Sequence, residues 1–308
     1  MTRSLRAAGG VLAAALIVAA CGGGSSRESF TPTRLIAFGD ESSVITSDGH
    51  KYTINALTTD GTGAYDCASN AIWVQVLASA YGFGFQQCKP TGITNEQALM
   101  RATANAKVAD LVTQIDAHLA TDAFTGKDLV TVLVGANDIL EQYSAYPGQS
   151  EDELKATLTV RGAAVAGQVN RIANAGGKVL AVTVPDVGLT PFALAQGADR
   201  AALLQRLTAA FNTALRLNLL NDGTKIGLVI EDELVQAYVN AGANSGFTNW
   251  TEHACDPATG QLPNCTTSTL VTGATSTSYL WADDLQLSPG GHARLGSAAL
   301  TRAQNNPF

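Results

Sequence analysis

Glu41 stands where an active-site residue is expected. It follows the apolar segment 35–38 through the turn Gly39-Asp40, as a buried strand runs into a catalytic turn. A glutamate there could pair with Asp283 or Asp284 across a cleft, which is the acid and base arrangement of glycosidases. It could also attack an acyl carbon and form an anhydride. A structural role is the favoured interpretation, because acidic residues in a cleft are more often structural or solvated.

A metal site made of Asp40, Glu41 and Asp283 is the least favoured interpretation. No spacing of ligands along the sequence forces these three carboxylates around one ion. We therefore predict neither a metal nor a cofactor.

The elements that must position these residues alternate between apolar strands and amphipathic helices. We predict strands at 34–38, 129–135, 178–185 and 226–231, and helices at 70–82, 94–119, 150–175, 200–220 and 289–304. The second helix begins at a capping box of Thr94 and Gln97, and the third at one of Ser150 and Glu153. Strands separated by helices predict an α/β fold: a single-domain, three-layer sandwich with a mostly parallel, flavodoxin-like sheet.

In such sheets the functional groups gather beyond the carboxyl ends of the strands. The segments at these places are "FGDES", "GANDI" and "VPDVGLTP", and a fourth, "WADDLQLSPGGHARLG", precedes the last helix. Residues 241–280 form an excursion rich in Gly, Asn and Thr.

The N-terminus is a targeting segment. Arg3 and Arg6 precede the apolar stretch 7–20, which is too short to span a bilayer and ends at Cys21 like a bacterial lipobox. We predict a lipoprotein signal peptide at 1–20, a lipidated Cys21 with a flexible tether at 21–33, and one domain at 34–308. Gly22 after the cysteine favours the outer membrane of a Gram-negative bacterium.

Four cysteines remain once Cys21 carries lipid, and an even number in an exported protein indicates disulfides. Three pairings are possible. Cys67–Cys88 and Cys255–Cys265 close the shortest loops, so we predict these two bonds. A four-thiolate zinc site is improbable, since no cysteines are closely spaced.

The charge of the chain excludes one class of partner. Its 308 residues carry a formal net charge of −7 at pH 7, and no long basic patch is interleaved with aromatic residues. Nucleic acid is therefore not an expected partner. The sequence does not predict the oligomeric state.

The four segments, in their order, resemble the GDSL or SGNH family of ester hydrolases. "IWVQVLA" around Trp73, "PDVGLTP" at 185–191 and "SGFTNWTEHAC" at 245–255 are also similar to that family's lipase and esterase members. The resemblance implies acyl transfer, in which a turn serine attacks an ester carbonyl. A histidine three residues after an aspartate takes the serine's proton, and backbone N–H groups with an asparagine hold the oxyanion.

Some residues of this sequence match that pattern and others depart from it. Asn137 matches the oxyanion asparagine and Asp283 the triad aspartate. Glu41 takes the place of the serine and Gln286 the place of the histidine, while Asn70 corresponds to the oxyanion glycine. Glutamate has no hydroxyl and glutamine has no basic nitrogen, so the expected triad is absent. His292 matches a family histidine outside the triad, which implies a structural role.

Other serines and histidines are not expected to replace the missing nucleophile and base. Ser42 would present its hydroxyl only after a one-residue slip, and no histidine would accompany Ser42 or Ser43. His50 and His118 are expected to be solvated or packed. His253 is the one histidine that we allow near the site.

These observations favour a lipid-anchored cell-envelope protein with a degenerate triad and a binding or scaffolding role. Its ligand would contain an ester or a glycan. Two alternatives stay open: an active hydrolase of acyl or acetyl esters that uses non-standard residues, and a carbohydrate-active or polysaccharide-binding envelope protein.

Overall fold

The computed structural model describes residues 30–89, 92 and 94–308. The predicted signal peptide, the lipidation site Cys21 and tether residues 22–29 lie outside the described residues. Among the residues that are described, no helix combines the length and the apolar character needed to cross a membrane.

The described residues contain the four predicted strands and further elements that the sequence did not predict. The strands are β1 (Arg34–Gly39), β2 (Ala56–Leu57), β3 (Tyr65–Asp66), β4 (Ala98–Met100), β5 (Asp128–Leu133), β6 (Lys178–Val182), β7 (Ile226–Val229), β8 (Asn249–His253) and β9 (Tyr279–Trp281). The helices are α1 (Trp73–Ala80), α2 (Val108–Leu119), α3 (Ala136–Ser144), α4 (Glu151–Asn174), α5 (Pro191–Ala195), α6 (Ala198–Asn218), α7 (Glu231–Ala241) and α8 (Pro289–Asn305).

The central sheet has the strand order β4-β1-β5-β6-β7, and every neighbouring pair is parallel. All six residues of β5 are buried, as expected for a strand covered on both faces. The predicted α/β fold with a mostly parallel sheet is confirmed. Because the strands are parallel, their carboxyl ends and the loops that follow lie along one edge.

Helices cover both faces of this sheet. Ile36 and Phe38 of β1 pack into a core that contains residues of α2, α4 and α6. Leu35 and Ala37, between them in sequence, pack into a second core with residues of α1 and α8. This alternation follows from the two-residue period of a strand, and it produces the three layers.

The predicted start of the second helix was wrong. Residues 98–100 form β4 at the edge of the sheet, and α2 begins only at Val108. The outer edge of β1 needs hydrogen-bond partners, and this segment supplies them, beginning with the Leu35 N–H donated to the Gln97 carbonyl at 2.8 Å. The helix is capped instead by the Asp110 carboxylate, which accepts the Lys107 N–H at 2.8 Å.

The capping box of α4 is confirmed. Glu153 accepts the Ser150 N–H at 2.8 Å, and the Ser150 hydroxyl accepts the Glu153 N–H in return. The last helix begins at Pro289, as predicted, with the Ser288 hydroxyl accepting the Gly291 N–H.

Both predicted disulfides are confirmed. Cys67 pairs with Cys88, and Cys255 pairs with Cys265. The first bond lies beside the buried ammonium of Lys51, which donates to the Cys67 carbonyl at 2.9 Å. The first bond closes a segment that contains α1, and the second closes a loop between residues ten apart in sequence.

Candidate functional site

Glu41 opens a short 3-10 turn, Glu41–Ser43, directly after β1. Gly39 ends the strand with φ +138°, and a Cβ there would lie 1.9 Å from the Leu133 carbonyl oxygen, so the position requires glycine. The Asp40 carboxylate accepts the Ser42 N–H at 3.1 Å and caps the turn. The turn holds the Glu41 side chain at the carboxyl edge of the sheet, where it is 8% exposed.

Three separate elements direct hydrogen-bond donors at the Glu41 carboxylate. The Asn137 side-chain amide donates to both oxygens, at 3.2 and 3.0 Å. The Asn105 backbone N–H donates to Oε2 at 2.8 Å, and the Gln286 side-chain amide donates to Oε1 at 3.3 Å. A carboxylate oxygen accepts hydrogen bonds, and each of these contacts uses one of the two Glu41 oxygens as its acceptor.

Asn137 lies in the first turn of α3, immediately beyond β5. Gly135 precedes the helix with φ +135°, and a Cβ there would lie 2.3 Å from the ring of Phe211. The Asn137 amide also donates to the Ala106 carbonyl at 3.2 Å. One side chain thus joins the loop after β5 to the loop after β4.

A buried ion pair secures the same junction. The Asp138 carboxylate accepts the Val108 N–H at the start of α2 at 2.9 Å, and it pairs with Arg161 of α4 at 3.0 Å. Burial is the main cause that raises the pKa of Asp138, and the Val108 and Arg161 contacts oppose it. The sequence analysis did not identify Asp138 as part of the site.

The family resemblance implied that Asn70 corresponds to the oxyanion glycine. The backbone N–H that donates to Glu41 belongs instead to Asn105. The Asn70 side chain donates to the Ile54 carbonyl at 3.0 Å, and its own carbonyl accepts from Lys51 at 2.9 Å. Both asparagines have positive φ, 52° for Asn70 and 60° for Asn105, a conformation that asparagine tolerates better than most residues. The residue type therefore fits both positions, and only the strand order brings Asn105 to Glu41.

Gln286 reaches Glu41 from the turn that precedes α8. The Ser42 hydroxyl donates to Gln286 Oε1 at 3.1 Å, which leaves the amide NH₂ to face Glu41. The Asp283 carboxylate accepts the backbone N–H groups of Leu285 and Gln286, at 2.9 and 2.6 Å. Asp283 thus fixes the backbone of this turn and does not contact the Gln286 side chain.

Burial shifts the pKa values of the neighbouring acids. It is the main cause that raises the pKa of Asp283, with the charges of Asp284 and Glu41 adding to it. It also raises the pKa of Asp40 well above the usual range, and the charge of Glu41 contributes. Within the described residues Glu41 makes no ion pair, and its hydrogen-bond donors are all neutral groups.

Neither neighbouring serine is activated. Ser42 donates its hydroxyl to the glutamine, which is not a base. Ser43 is fully buried, and its hydroxyl has no partner among the described residues.

The histidines are engaged elsewhere. His50 lies 2.9 Å from Asp48, and His118 is buried on α2, where burial lowers its pKa. His253 contacts Asp284 at 2.8 Å. Among the described residues, none of these imidazoles hydrogen-bonds to Glu41 or to the serines beside it.

His292 is buried in α8 rather than exposed at the site. Burial lowers its pKa to about 3, so the ring is neutral, and neither ring nitrogen has a partner among the described residues. A packing role agrees with what the family resemblance implied. The described part of the chain also contains no group of three or more His, Cys, Asp or Glu residues that could hold a metal ion.

Comparison with sequence families gives one match over most of the chain. The profile described as GDSL-like lipase/acylhydrolase matches residues 35–299. A search of curated protein sequences found no match.

Solved structures with a similar backbone include two acetyl xylan esterases and a putative GDSL-like lipase. An acetyl xylan esterase is 13% identical over 87% of this chain and 98% of its own, with a TM-score of 0.47. A putative GDSL-like lipase from Parabacteroides merdae is 11% identical over 89% and 97%, with a TM-score of 0.47. An acetylxylan esterase from Geobacillus stearothermophilus is 12% identical over 91% and 98%, with a TM-score of 0.44.

Proposed function

The chain belongs to the GDSL-like lipase/acylhydrolase family, and we propose that it is a member that does not hydrolyse esters. In this proposal lipid anchors the protein to the cell envelope, and its role is binding or scaffolding. The anchor on Cys21 and the location in the outer membrane rest on the sequence of the leader.

One observation supports the proposal: neutral donors converge on the Glu41 carboxylate, and one of them is Asn137, which the family resemblance matches to the oxyanion asparagine. The amide of Asn137, the N–H of Asn105 and the amide of Gln286 all donate to this carboxylate. In acyl transfer, such donors stabilise the negative charge that develops on a carbonyl oxygen. Here the same donors are occupied by the carboxyl group of Glu41, whose atoms take the space that a substrate oxygen would need.

The absence of a base at the site supports the same conclusion. Serine attack needs a hydroxyl and an adjacent group that takes its proton. Of the two serines in the turn, Ser42 donates its hydroxyl to Gln286, whose amide has no basic nitrogen. The Ser43 hydroxyl is buried and has no partner among the described residues.

Hydrolysis by carboxylate chemistry is the less favoured alternative. Glu41 would have to leave several donors before either of its oxygens could attack a carbonyl carbon. A glycosidase-type acid would have to come from Asp283 or Asp284. Oδ1 of Asp283 accepts two backbone N–H groups, and Oδ1 of Asp284 contacts His253.

The experiment is an esterase assay on p-nitrophenyl acetate and p-nitrophenyl butyrate. We expect no hydrolysis by the wild type above the buffer rate, and a clear gain in the double variant Glu41→Ser with Gln286→His. The gain is expected because Asn137 and Asn105 are already placed as donors. The matched control is Glu96→Ser with Gln149→His, two exposed positions that should give no activity.

Rapid hydrolysis by the wild type that disappears in Glu41→Gln would overturn the proposal in favour of carboxylate chemistry. Rapid hydrolysis that survives Glu41→Gln would place an active centre elsewhere and would overturn it as well.

A further inference from the structure

A second concave site lies beside the turn that carries Gln286. It is a cavity of about 260 Å³, and Asp283, Asp284, His253 and Gln261 contribute its polar lining. Glu41 and Gln286 do not line it, so the cavity is separate from the donors that converge on Glu41. It is smaller than the roughly 300–1,000 Å³ of pockets that hold drug-sized ligands, and it therefore suits a small molecule.

Hydrogen bonds orient three of the polar side chains of the cavity, those of His253, Asp284 and Asp283. His253 Nδ1 contacts Asp284 Oδ1 at 2.8 Å, which fixes the plane of the imidazole ring. The Asp283 Oδ1 atom accepts two backbone N–H groups, which fixes that carboxyl.

Several of their atoms have no partner. Among the described residues, no hydrogen bond is made by His253 Nε2, by the Oδ2 atoms of Asp283 and Asp284, or by the Gln261 amide. These atoms are therefore available to a molecule in the cavity.

A disulfide bond and a backbone hydrogen bond hold the wall of the cavity in place. The Cys255–Cys265 disulfide closes the loop that carries Gln261. The Cys255 N–H donates to the Ala282 carbonyl at 2.8 Å, which joins this loop to the chain just before Asp283. A pocket that is already formed loses little conformational entropy when a ligand binds.

The available atoms include donors and acceptors together. The two carboxylate oxygens only accept, the imidazole Nε2 donates or accepts according to its protonation, and the Gln261 amide does both. Two carboxyl groups oppose an anionic ligand, and the described residues offer no cluster for a metal ion. A hydroxyl group also donates and accepts, so adjacent hydroxyl groups match this set of atoms.

We propose that the cavity lined by His253, Asp283, Asp284 and Gln261 binds a small, neutral ligand with adjacent hydroxyl groups. The proposal names a ligand class for the binding role and rests on that proposed function.

The test is saturation-transfer difference NMR on the full-length chain in detergent micelles. The probe is methyl α-D-mannopyranoside, and the matched control is 2-methoxytetrahydropyran, the same ring without hydroxyl groups. We expect saturation transfer to the first compound and none to the second. The signal should be lost in Asp284→Ala and in Gln261→Ala, and it should persist in Glu252→Gln, which changes an exposed carboxylate of the strand that carries His253.

Equal transfer to both compounds, or an unchanged signal in Asp284→Ala, would overturn the proposal, and so would the absence of transfer to the pyranoside. Glu41→Gln separates this result from the proposed function, because it leaves the cavity lining intact and the signal should survive it. Saturation transfer to putrescine, and none to the pyranoside, would show that the cavity binds a cation and would also contradict the proposal.

Discussion

The side-chain amide of Asn137 lies within hydrogen-bonding distance of both carboxylate oxygens of Glu41, at 3.2 and 3.0 Å. Asn137 belongs to the loop after β5 and Glu41 to the turn after β1, and these strands are neighbours in the parallel sheet. The donor that the family resemblance assigns to an oxyanion therefore holds a carboxylate of the protein itself.

This contact predicts a structural role for Glu41. Replacing Glu41 by Leu keeps a side chain of similar bulk. It removes the acceptor of the Gln286 amide and of the Asn105 N–H, and it leaves the Asn137 amide only the Ala106 carbonyl. Buried donors that lose a partner cost about 1–3 kcal/mol, so we expect the free energy of unfolding in urea to fall by that amount. Glu96→Leu, at an exposed position, should change it by less than about 0.5 kcal/mol. Equal effects of the two changes would contradict the prediction.

Single reversions should recover little esterase activity. A general base contributes typically about 10²–10⁴-fold, so Glu41→Ser alone should be about two orders of magnitude or more slower than the double variant with Gln286→His. Gln286→His alone should be inactive, because it lacks the hydroxyl. The rate of the double variant should rise with pH through a histidine titration near ~6.5. A single variant as fast as the double one, or a rate independent of pH, would show that the two positions do not act as a pair.

His292 should make folding sensitive to acid. Its pKa in the folded chain is lowered to about 3, from 6.5, so between these values the unfolded chain binds a proton that the folded chain does not. The contribution of the neutral ring to stability is complete above pH 6.5 and is lost as the pH falls, by up to about 1.4 kcal/mol per pH unit.

The comparison is with His292→Phe, in urea unfolding between pH 7 and pH 4.5. The carboxyl titrations are common to both proteins and cancel in the difference. We expect wild-type stability to decline more steeply than that of the variant. Parallel curves would mean that the imidazole is solvated in the folded chain.

The lipid anchor is tested independently of the site. Cys21→Ser should abolish labelling of the chain by radiolabelled palmitate and release it from membranes into the soluble fraction. The matched control is Ser26→Cys in the Cys21→Ser background, which restores a thiol outside the lipobox and should stay unlabelled. Labelling that persists in Cys21→Ser would exclude the predicted lipid attachment.

The sequence predicted most of the fold because its local signals agree with the tertiary structure. The capping box of Ser150 and Glu153 starts α4 where the pattern placed it, and the apolar run at β5 is a strand buried on both faces. The helix predicted from Thr94 failed because the outer edge of β1 needed partners, and residues 98–100 pair with it instead. One helix cap stabilises the chain less than the pairing of several buried backbone N–H and C=O groups along a strand.

For the site, the sequence by itself singled out Glu41 and Gln286, because the family resemblance gives them the places of the serine and the histidine in short motifs. Only the tertiary structure decided what surrounds them. Asn105, which lies 64 residues beyond Glu41, becomes its backbone donor because β4 pairs with β1. His253 and Asp284 are 31 residues apart and meet at the second cavity because β8 pairs with β9. Motifs record neighbours along the chain, whereas the order of parallel strands determines which loops meet at one edge of the sheet.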